Sequence, residues 1–560
     1  MEEYTMQKLE LTWIGKEQDL SVEPRILLHD GSKDYGDPSA KNMLIHGDNL
    51  LALKALEQEF AGRVKCIYID PPYNTGAAFE HYDDNLEHSI WLGLMRSRLE
   101  ILRNLLSPDG FFCCHIDDSE GHYLKVLLDE VFGRNNYQTT LYIRVRYPEK
   151  TLKQDMNYHK EIEQVHIYRK EYGAVPNFDY EVVGFDKFRY YIEDDGKSET
   201  ITLGGKRVDI FQRGHYTIEE REGSEYGLKE IWASGTILDG NSSGRFFRDY
   251  LTGRAETDGL GVLYKVWGIG DDRFDYRYFT GPRRQNATKG KYYQGVPNDK
   301  LEADEITKKV AISNFYDLAG SFGNCRLEGG VEFRSGKKPE VLLELILRHF
   351  SNPGDLVLDS FLGSGTTAAA AHKMGRRYIG IELGDHCYTH CLPRLQKVVD
   401  GEQSGISKAV EWKGGGGFKF YELAPTLIVK DLHGNPVFSD KYNAEMLVAA
   451  VAKLNGFSYS PNTECFWKQG KAQDNSYIFV TTQYLTAKEL DEIARDLPEF
   501  EKLLICAPAF DVGLGKRYEN IDVRKIPQSV LSKCEFGADN YDLNIVNPPE
   551  LDEEEWDDVE

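Results

Sequence analysis

Val64-Lys65-Cys66-Ile67-Tyr68-Ile69-Asp70-Pro71-Pro72-Tyr73 is the stretch on which the fold turns. Its first six residues are apolar, β-branched or aromatic at every position but Lys65, the composition of a short buried strand, and Asp70 falls at the carboxyl end of that strand. In an open α/β sheet this edge is where ligands bind. The two prolines fix two φ angles and remove two N–H donors, so Asp70, Pro71 and Pro72 form a rigid turn with carbonyl oxygens beside a carboxylate. Such a cluster suits a planar amino group: Asp70 and the Pro71 carbonyl accept its two N–H bonds, and Tyr73 offers a stacking face. A nucleobase presented in this way must leave its duplex, at a cost of roughly a few kcal/mol that stacking on an aromatic ring partly offsets. An Asp-Pro-Pro-Tyr string is also a common surface turn. The strand before it and Asn74-Thr75-Gly76 after it favour the site.

A second strand signal, Asp355 to Asp359, runs into Ser360-Phe361-Leu362-Gly363-Ser364-Gly365-Thr366-Thr367 and then a helix from Ala368 to Met374. Glycines let a backbone approach a ligand closely, and the N–H groups at a helix start attract an anion. A phosphate loop needs a Lys that is missing, and a dinucleotide fingerprint needs a third glycine where this chain has Ala368. S-adenosylmethionine needs only the close approach, a donor for its carboxylate and an acid for its ribose. Glu382, after the strand pattern Arg377-Tyr378-Ile379-Gly380-Ile381, is in the place where such a sheet carries a ribose-binding acid. A surface Glu at a strand end is the plainer reading of the same residue.

With these residues the chain resembles β-class DNA amino-methyltransferases, and most closely the Mod (modification) subunits of type III restriction-modification systems. The order of motifs, acceptor first, target-recognition insert next and cofactor motif last, matches that class from Asn42-Met43-Leu44-Ile45-His46-Gly47-Asp48-Asn49 onward. The resemblance implies a Rossmann-like methyltransferase sheet with circularly permuted motifs and S-adenosylmethionine as cofactor. It implies that Asp70, Pro71, Pro72 and Tyr73 are catalytic. It places Asp48, Asp359, Phe361, Gly363, Ser364, Gly365, Thr366, Thr367 and Glu382 at the cofactor, with Lys338 and Pro339 opening a helix over it. Asp at the first acceptor position implies adenine; cytosine enzymes of the class more often carry Ser. Ser360 departs from the usual Pro. The implied partners are double-stranded DNA, a second copy of the chain, and a helicase or nuclease restriction subunit in a phage-defence system. Three alternatives stay open: a cytosine-N4 methyltransferase, a subunit whose main work is DNA recognition for a nuclease or ATPase, and methylation of RNA or of a protein glutamine amide, against which the leading Asp and the large insert argue.

The 560 residues allow several domains, and 41% hydrophobic with 28% charged residues is the balance of a globular chain. No run approaches a membrane span, the acidic amino terminus is unlike a signal peptide, and nine cysteines without disulfide spacing fit a reducing compartment, so a cytoplasmic protein is expected. His386-Cys387 and His390-Cys391 lack a second ligand pair, and no metal is expected. The net charge of −24 opposes phosphate binding. Its distribution does not: Arg273, Arg277, Arg283, Arg284, Lys289 and Lys291 alternate with aromatics, and Arg144, Arg146, Lys150, Lys153 and Lys160 form a second basic stretch. These are the expected DNA contacts.

The pattern divides into an arm at 1–41, an acceptor half at 42–170, a β-rich target-recognition insert at 171–334, and a cofactor half at 335–413. Beyond Gly414-Gly415-Gly416-Gly417, read as a flexible junction, a small α/β domain is expected at 414–549 and an acidic disordered tail at 550–560. Trp91, Leu94, Met95, Leu99, Leu102 and Leu106 have the spacing of a core-facing helix. His115-Ile116-Asp117-Asp118 either lines the base pocket or caps a helix.

Overall fold

A computed structural model describes residues 10–13, 15–16, 22–73, 88–148, 158–182, 184–233, 242–284, 289–298, 307–333, 336–430, 432–433 and 435–526. The expectations for Asn74-Thr75-Gly76, Lys150, Lys153 and the tail at 550–560 lie outside the described residues. The chain divides into two compact units, Met1–Asn177 with Ser313–Glu560, and Phe178–Ile312.

The first unit is built on an 11-stranded sheet. Its central strands run in the order Met43–His46, Arg377–Glu382, Leu356–Asp359, Val64–Ile69 and Leu106–Ile116, all mutually parallel. Ile162–Arg169 follows antiparallel, then Tyr137–Arg144. The order is doubly wound about one seam, Leu356–Asp359 beside Val64–Ile69. After Leu356–Asp359 the chain passes to Arg377–Glu382 on one side, and after Val64–Ile69 to Leu106–Ile116 on the other, so the seam is the topological switch point.

Alternation from Cys66 to Ile69, after a register shift between Val64 and Cys66, turns successive side chains to opposite faces, and helices cover both. Val64, Ile67 and Ile69 join one apolar cluster with Leu53 of helix Asn49–Phe60 and Met95 of helix His88–Leu105, while Cys66 and Tyr68 join the opposite cluster with Leu343, Ala369 and Leu395. Trp91, Leu94, Met95, Leu99 and Leu102 are buried in the first cluster, as their spacing predicts, whereas Leu106, buried there as well, opens strand Leu106–Ile116 and is not on the helix. No described helix is long and apolar enough to cross a membrane.

Three expectations change. The insert is shorter at both ends than 171–334. Asn177 is anchored through its amide to the carbonyls of Arg348 and Ser351, and Phe315–Asp317 pairs in parallel with Tyr137–Arg144, which puts both in the first unit. The glycine run is not a loose junction. Gly415 N–H donates to Val399 O at 2.7 Å, Gly416 O accepts from Asp37 N–H at 2.9 Å, and Gly417 opens strand Gly417–Leu423. That strand lies between Met43–His46 and Leu27–His29, so the amino-terminal arm and the start of the last segment both extend the large sheet. Gly416 has φ of 72°, and a Cβ there would meet the His372 imidazole at 2.8 Å, which is why the run is glycine. Beyond it, Ser476–Val480, Lys502–Ala507 and Ile521–Lys525 form the parallel part of a five-stranded sheet with helices Ala444–Leu454 and Ala487–Asp496.

The second unit is β-rich, as expected. Its main sheet has six antiparallel strands, ordered Glu199–Leu203, Lys206–Phe211, Leu263–Trp267, Tyr276–Thr280, Gly290–Gln294 and Lys229–Ala233.

Candidate active site

Both motifs lie at the carboxyl edge of the seam, because their strands are hydrogen-bonded neighbours with Val357 opposite Cys66 and Leu358 opposite Ile67. Asp359 is buried at the end of its strand. Its Oδ1 accepts the Phe361 N–H at 2.9 Å and its Oδ2 accepts the Thr367 hydroxyl at 2.5 Å. Burial pushes the Asp359 carboxyl up, against these two hydrogen bonds, to about 7. Gly363 and Gly365 have φ of 56° and 81°, the left-handed region that the turn requires, and Gly365 precedes helix Thr366–Lys373. Glu382 Oε2 accepts the Gly363 N–H at 2.7 Å and Oε1 accepts Gly384 N–H at 3.0 Å. On the next strand out, Asp48 caps helix Asn49–Phe60 by accepting the Leu51 N–H, while its Oδ2, 3.6 Å from Arg98, accepts no hydrogen bond among the described residues.

Below the glycine turn is an ionic cluster that the sequence did not announce. Arg394 donates to Thr366 Oγ1 at 2.7 Å, to the Ser364 carbonyl at 3.2 Å and to Glu340 Oε1 at 2.9 Å. Lys373 donates to Glu340 Oε2 at 2.7 Å and also pairs with Glu402. The side chains of Arg394, Glu340 and Lys373 are all 0% exposed. The hydroxyls of Thr366 and Thr367 are engaged inward, so they brace the turn. Phe361 packs into the apolar cluster, and Pro339 is the N-cap residue of helix Glu340–Phe350.

Lys338 joins the two motifs. Its carbonyl accepts the Thr366 hydroxyl at 3.1 Å, and its ammonium lies 2.9 Å from Asp70 Oδ2 and 4.9 Å above the Tyr73 ring. Tyr73 donates its hydroxyl to Asp70 Oδ1 at 2.7 Å. The Pro72 carbonyl accepts the Trp91 indole N–H at 2.8 Å, so it anchors the turn and does not face the site as an acceptor, which corrects the reading of Pro72. Two more residues complete the network. Glu163 Oε2 is 3.2 Å from the Tyr73 hydroxyl, 2.8 Å from His115 Nε2 and 3.7 Å from the Lys338 ammonium. His115 Nδ1 is 2.8 Å from the Tyr68 hydroxyl. Burial raises the Glu163 carboxyl, but Lys338 and His115 outweigh it and hold the group at about 2. Burial likewise lowers the Lys338 ammonium, and Asp70 and Glu163 more than reverse that. Asp117 accepts the Ser119 N–H at 2.8 Å within a turn and does not cap the next helix, Gly121–Leu128, whose N-cap residue is Glu120 without a side-chain cap. Glu163 was missed because Ile162–Arg169 runs antiparallel, which brings the start of that strand to the same edge as the ends of the parallel ones.

The expected DNA contacts divide. Arg283, Arg284 and Lys289 are exposed on the connection between strands Tyr276–Thr280 and Gly290–Gln294, and none is in an ion pair among the described residues. Arg146 is exposed as well. Arg273 lies 3.6 Å from Glu225 and over the Tyr226 ring, Lys291 pairs with Glu230 at 2.5 Å, and Arg144 pairs with Glu161 at 3.0 Å and Asp317 at 3.3 Å. Arg277 is a correction. It is 4% exposed and bonded to Asp272 at 2.7 Å and Ser243 at 2.7 Å, because its position in the strand points inward; it stabilises the unit and is closed to phosphate. His390 and Cys391, considered above for metal, instead bond the carbonyls of Glu332 and Gly363.

An acceptor turn and a glycine turn at one switch point define an α/β enzyme of the nucleotide-cofactor type, and the comparisons narrow the class. The chain belongs to the N6_N4_Mtase family of DNA methylases, whose family model matches residues 64–391, more than half of its length. It is 34% identical over 414 residues to the probable type III restriction-modification enzyme HindVI Mod subunit of Haemophilus influenzae, covering 69% of this chain and 54% of that protein. It is 25% identical over 434 residues to the type III restriction-modification enzyme EcoPI Mod subunit of Escherichia phage P1, covering 68% and 63%. Type II methyltransferase M.EcaI of Enterobacter cloacae is 27% identical over 360 residues, covering 61% and 66%. The chain thus spans about half to two thirds of the length of these curated relatives.

Proposed function

We propose that this chain is an S-adenosylmethionine-dependent DNA methyltransferase that modifies the exocyclic amino group of an extruded adenine, as the modification and recognition subunit of a type III restriction system. The observation that carries the reading is the junction at Lys338, where the acceptor turn and the cofactor turn meet through one residue. The cofactor fits the residues present. Gly363 and Gly365 allow close backbone approach, the start of helix Thr366–Lys373 favours a carboxylate, Glu382 stands where a ribose is held, and Asp48 Oδ2 is an acceptor without a hydrogen bond of its own among the described residues. When bound, S-adenosylmethionine supplies a methyl group on a sulfonium sulfur.

The protein's own work is positioning and polarisation. Asp70 and the Pro71 carbonyl accept the two amino N–H bonds, drawing electron density onto a nitrogen whose lone pair is otherwise delocalised into the ring. Tyr73 supplies a face for the base, and its bond to Asp70 fixes the carboxylate. Oriented acceptors in a buried site lower the barrier because they need no reorganisation when charge develops. Arg283, Arg284, Lys289 and Arg146 are the phosphate contacts of this reading, and the partners are double-stranded DNA, a second copy and a restriction subunit.

The test is to incubate duplex DNA with the protein and S-adenosylmethionine, map modified bases by long-read sequencing, and identify them after digestion to nucleosides. N6-methyladenine in one sequence context is the expected result. N4-methylcytosine refutes the choice of base, and an unmodified product refutes the activity.

A further inference from the structure

Two of the three contacts assigned to the target base, the Asp70 carboxylate and the Tyr73 face, are made in this structure by one protein group, while the Pro71 carbonyl is not among its partners. The Lys338 ammonium is at hydrogen-bond distance from Asp70 Oδ2 and over the Tyr73 ring, the oxygen and the face that an adenine amino group requires. The ammonium is nearly enclosed, with a side chain 10% exposed. It therefore stands in for the amino group, and it neutralises a carboxylate that burial would otherwise disfavour. Its backbone cannot leave with it, because the Lys338 carbonyl is bound to Thr366. Only the flexible four-carbon stem can move.

A second seat is already built. Glu163 Oε2 lies 3.7 Å from the same ammonium, so travel of roughly 0.8–1.0 Å brings that pair to an ordinary charge-assisted distance. Glu163 Oε2 is held by His115 Nε2 at 2.8 Å, and His115 in turn by the Tyr68 hydroxyl at 2.8 Å, while the one Tyr73 proton goes to Asp70, so the seat is fixed from the side of the sheet. A cation that merely departed would leave an unpaired carboxylate in a desolvated pocket. One that shifts between two carboxylates keeps the charge of the pocket constant while Oδ2 of Asp70 is exchanged from ammonium to amino group.

We propose that Lys338 is a resident counter-ion occupying the amino-group position of the acceptor site, and that Glu163 is a positioning residue which receives its ammonium when the base enters. The inference rests on the amino-methyltransferase reading and assigns Glu163, His115 and the Lys338 side chain a part in base entry.

The experiment is a double-mutant cycle on the full chain with Glu163→Gln and Lys338→Gln, read as single-turnover methylation of DNA carrying the site found by sequencing. DNA affinity by anisotropy and cofactor affinity by tryptophan fluorescence are measured alongside. Glu163→Gln is expected to slow methylation on the order of tenfold or more, with both affinities within about twofold of wild type, and to have at most about a twofold effect when Lys338 is already Gln. Equal losses in both backgrounds, or no loss in the first, overturn the proposal. A crystal structure of the wild-type complex with duplex and sinefungin gives an independent reading should Lys338→Gln fold poorly. The ammonium on Glu163 and away from Asp70 is expected, and the ammonium still on Asp70 beside an inserted base refutes the exchange. Failure of the wild-type protein to methylate any DNA refutes the underlying function instead.

Discussion

Lys373→Met tests whether the buried ions beneath the glycine turn act as one neutral unit. Two cations, Lys373 and Arg394, meet two carboxylates, Glu340 and Glu402, and the side chains of the first three are wholly buried. Methionine preserves the length and most of the volume of Lys373, so the change removes charge with little cavity. It leaves Glu340 with the Arg394 guanidinium and the Ile406 N–H, and Glu402 without its ammonium. Removing one partner of a buried pair costs about 3–5 kcal/mol, because the remaining charge keeps its desolvation penalty. That is roughly two to three and a half powers of ten in the local opening equilibrium. Native-state hydrogen exchange of the amides in helix Thr366–Lys373 reads this directly and does not require the whole chain to unfold in one step. Adding Glu402→Gln restores neutrality and is expected to recover about half of the loss, a coupling within the range found for directly interacting side chains. A loss under about 1 kcal/mol in the single variant, or a double variant worse than the single, would show that the cluster is not balanced as described.

Asp70→Ala is expected to retain cofactor affinity while lowering the methylation rate by roughly 10²–10³-fold, the scale of removing one oriented catalytic group; unimpaired turnover removes Asp70 from the chemistry. Arg283→Ala with Arg284→Ala weakens DNA binding and flattens its salt dependence, the slope falling by roughly 0.9 for each phosphate no longer neutralised. An unchanged slope removes this loop from the DNA-binding surface. Glu163 is held at about 2 in the folded protein, below its ordinary value, so its stabilising contribution is complete above the unfolded value near 4.5 and is lost as pH falls toward about 2. The gap in stability between wild type and Glu163→Gln is therefore largest at neutral pH and narrows as pH falls from 5 to 3, measured by urea denaturation; a gap that widens on acidification contradicts the assignment.

The parts of the site that were legible in the sequence are those set by neighbours along the chain. Val64–Ile69 before Asp-Pro-Pro-Tyr, and Leu356–Asp359 before the glycine turn, are strand-and-turn signals complete within a dozen residues, and the strands form as read. The residues that were not legible depend on strands meeting across the fold. Glu163 reaches the site only through an antiparallel insertion, and Glu340, Lys373 and Arg394 come from three separate helices. Arg277 shows the opposite error. A run of basic and aromatic residues looks like a phosphate surface, yet alternation along Tyr276–Thr280 turns this one guanidinium toward Asp272, while Arg283 and Arg284 on the connection stay exposed. The glycine run misled for a related reason: positive φ serves tight packing as well as freedom, and only the partners Val399, Asp37 and His372 tell which.

The strand that follows those glycines makes the chain hard to dissect. Gly417–Leu423 covers Met43–His46, whose Leu44 and Ile45 are fully buried. A fragment trimmed at residue 413 would expose a raw, apolar sheet edge of the kind that recruits other chains into aggregates. A minimal catalytic fragment must therefore run through Leu423, and insolubility of a shorter one would report a missing strand and not a missing partner.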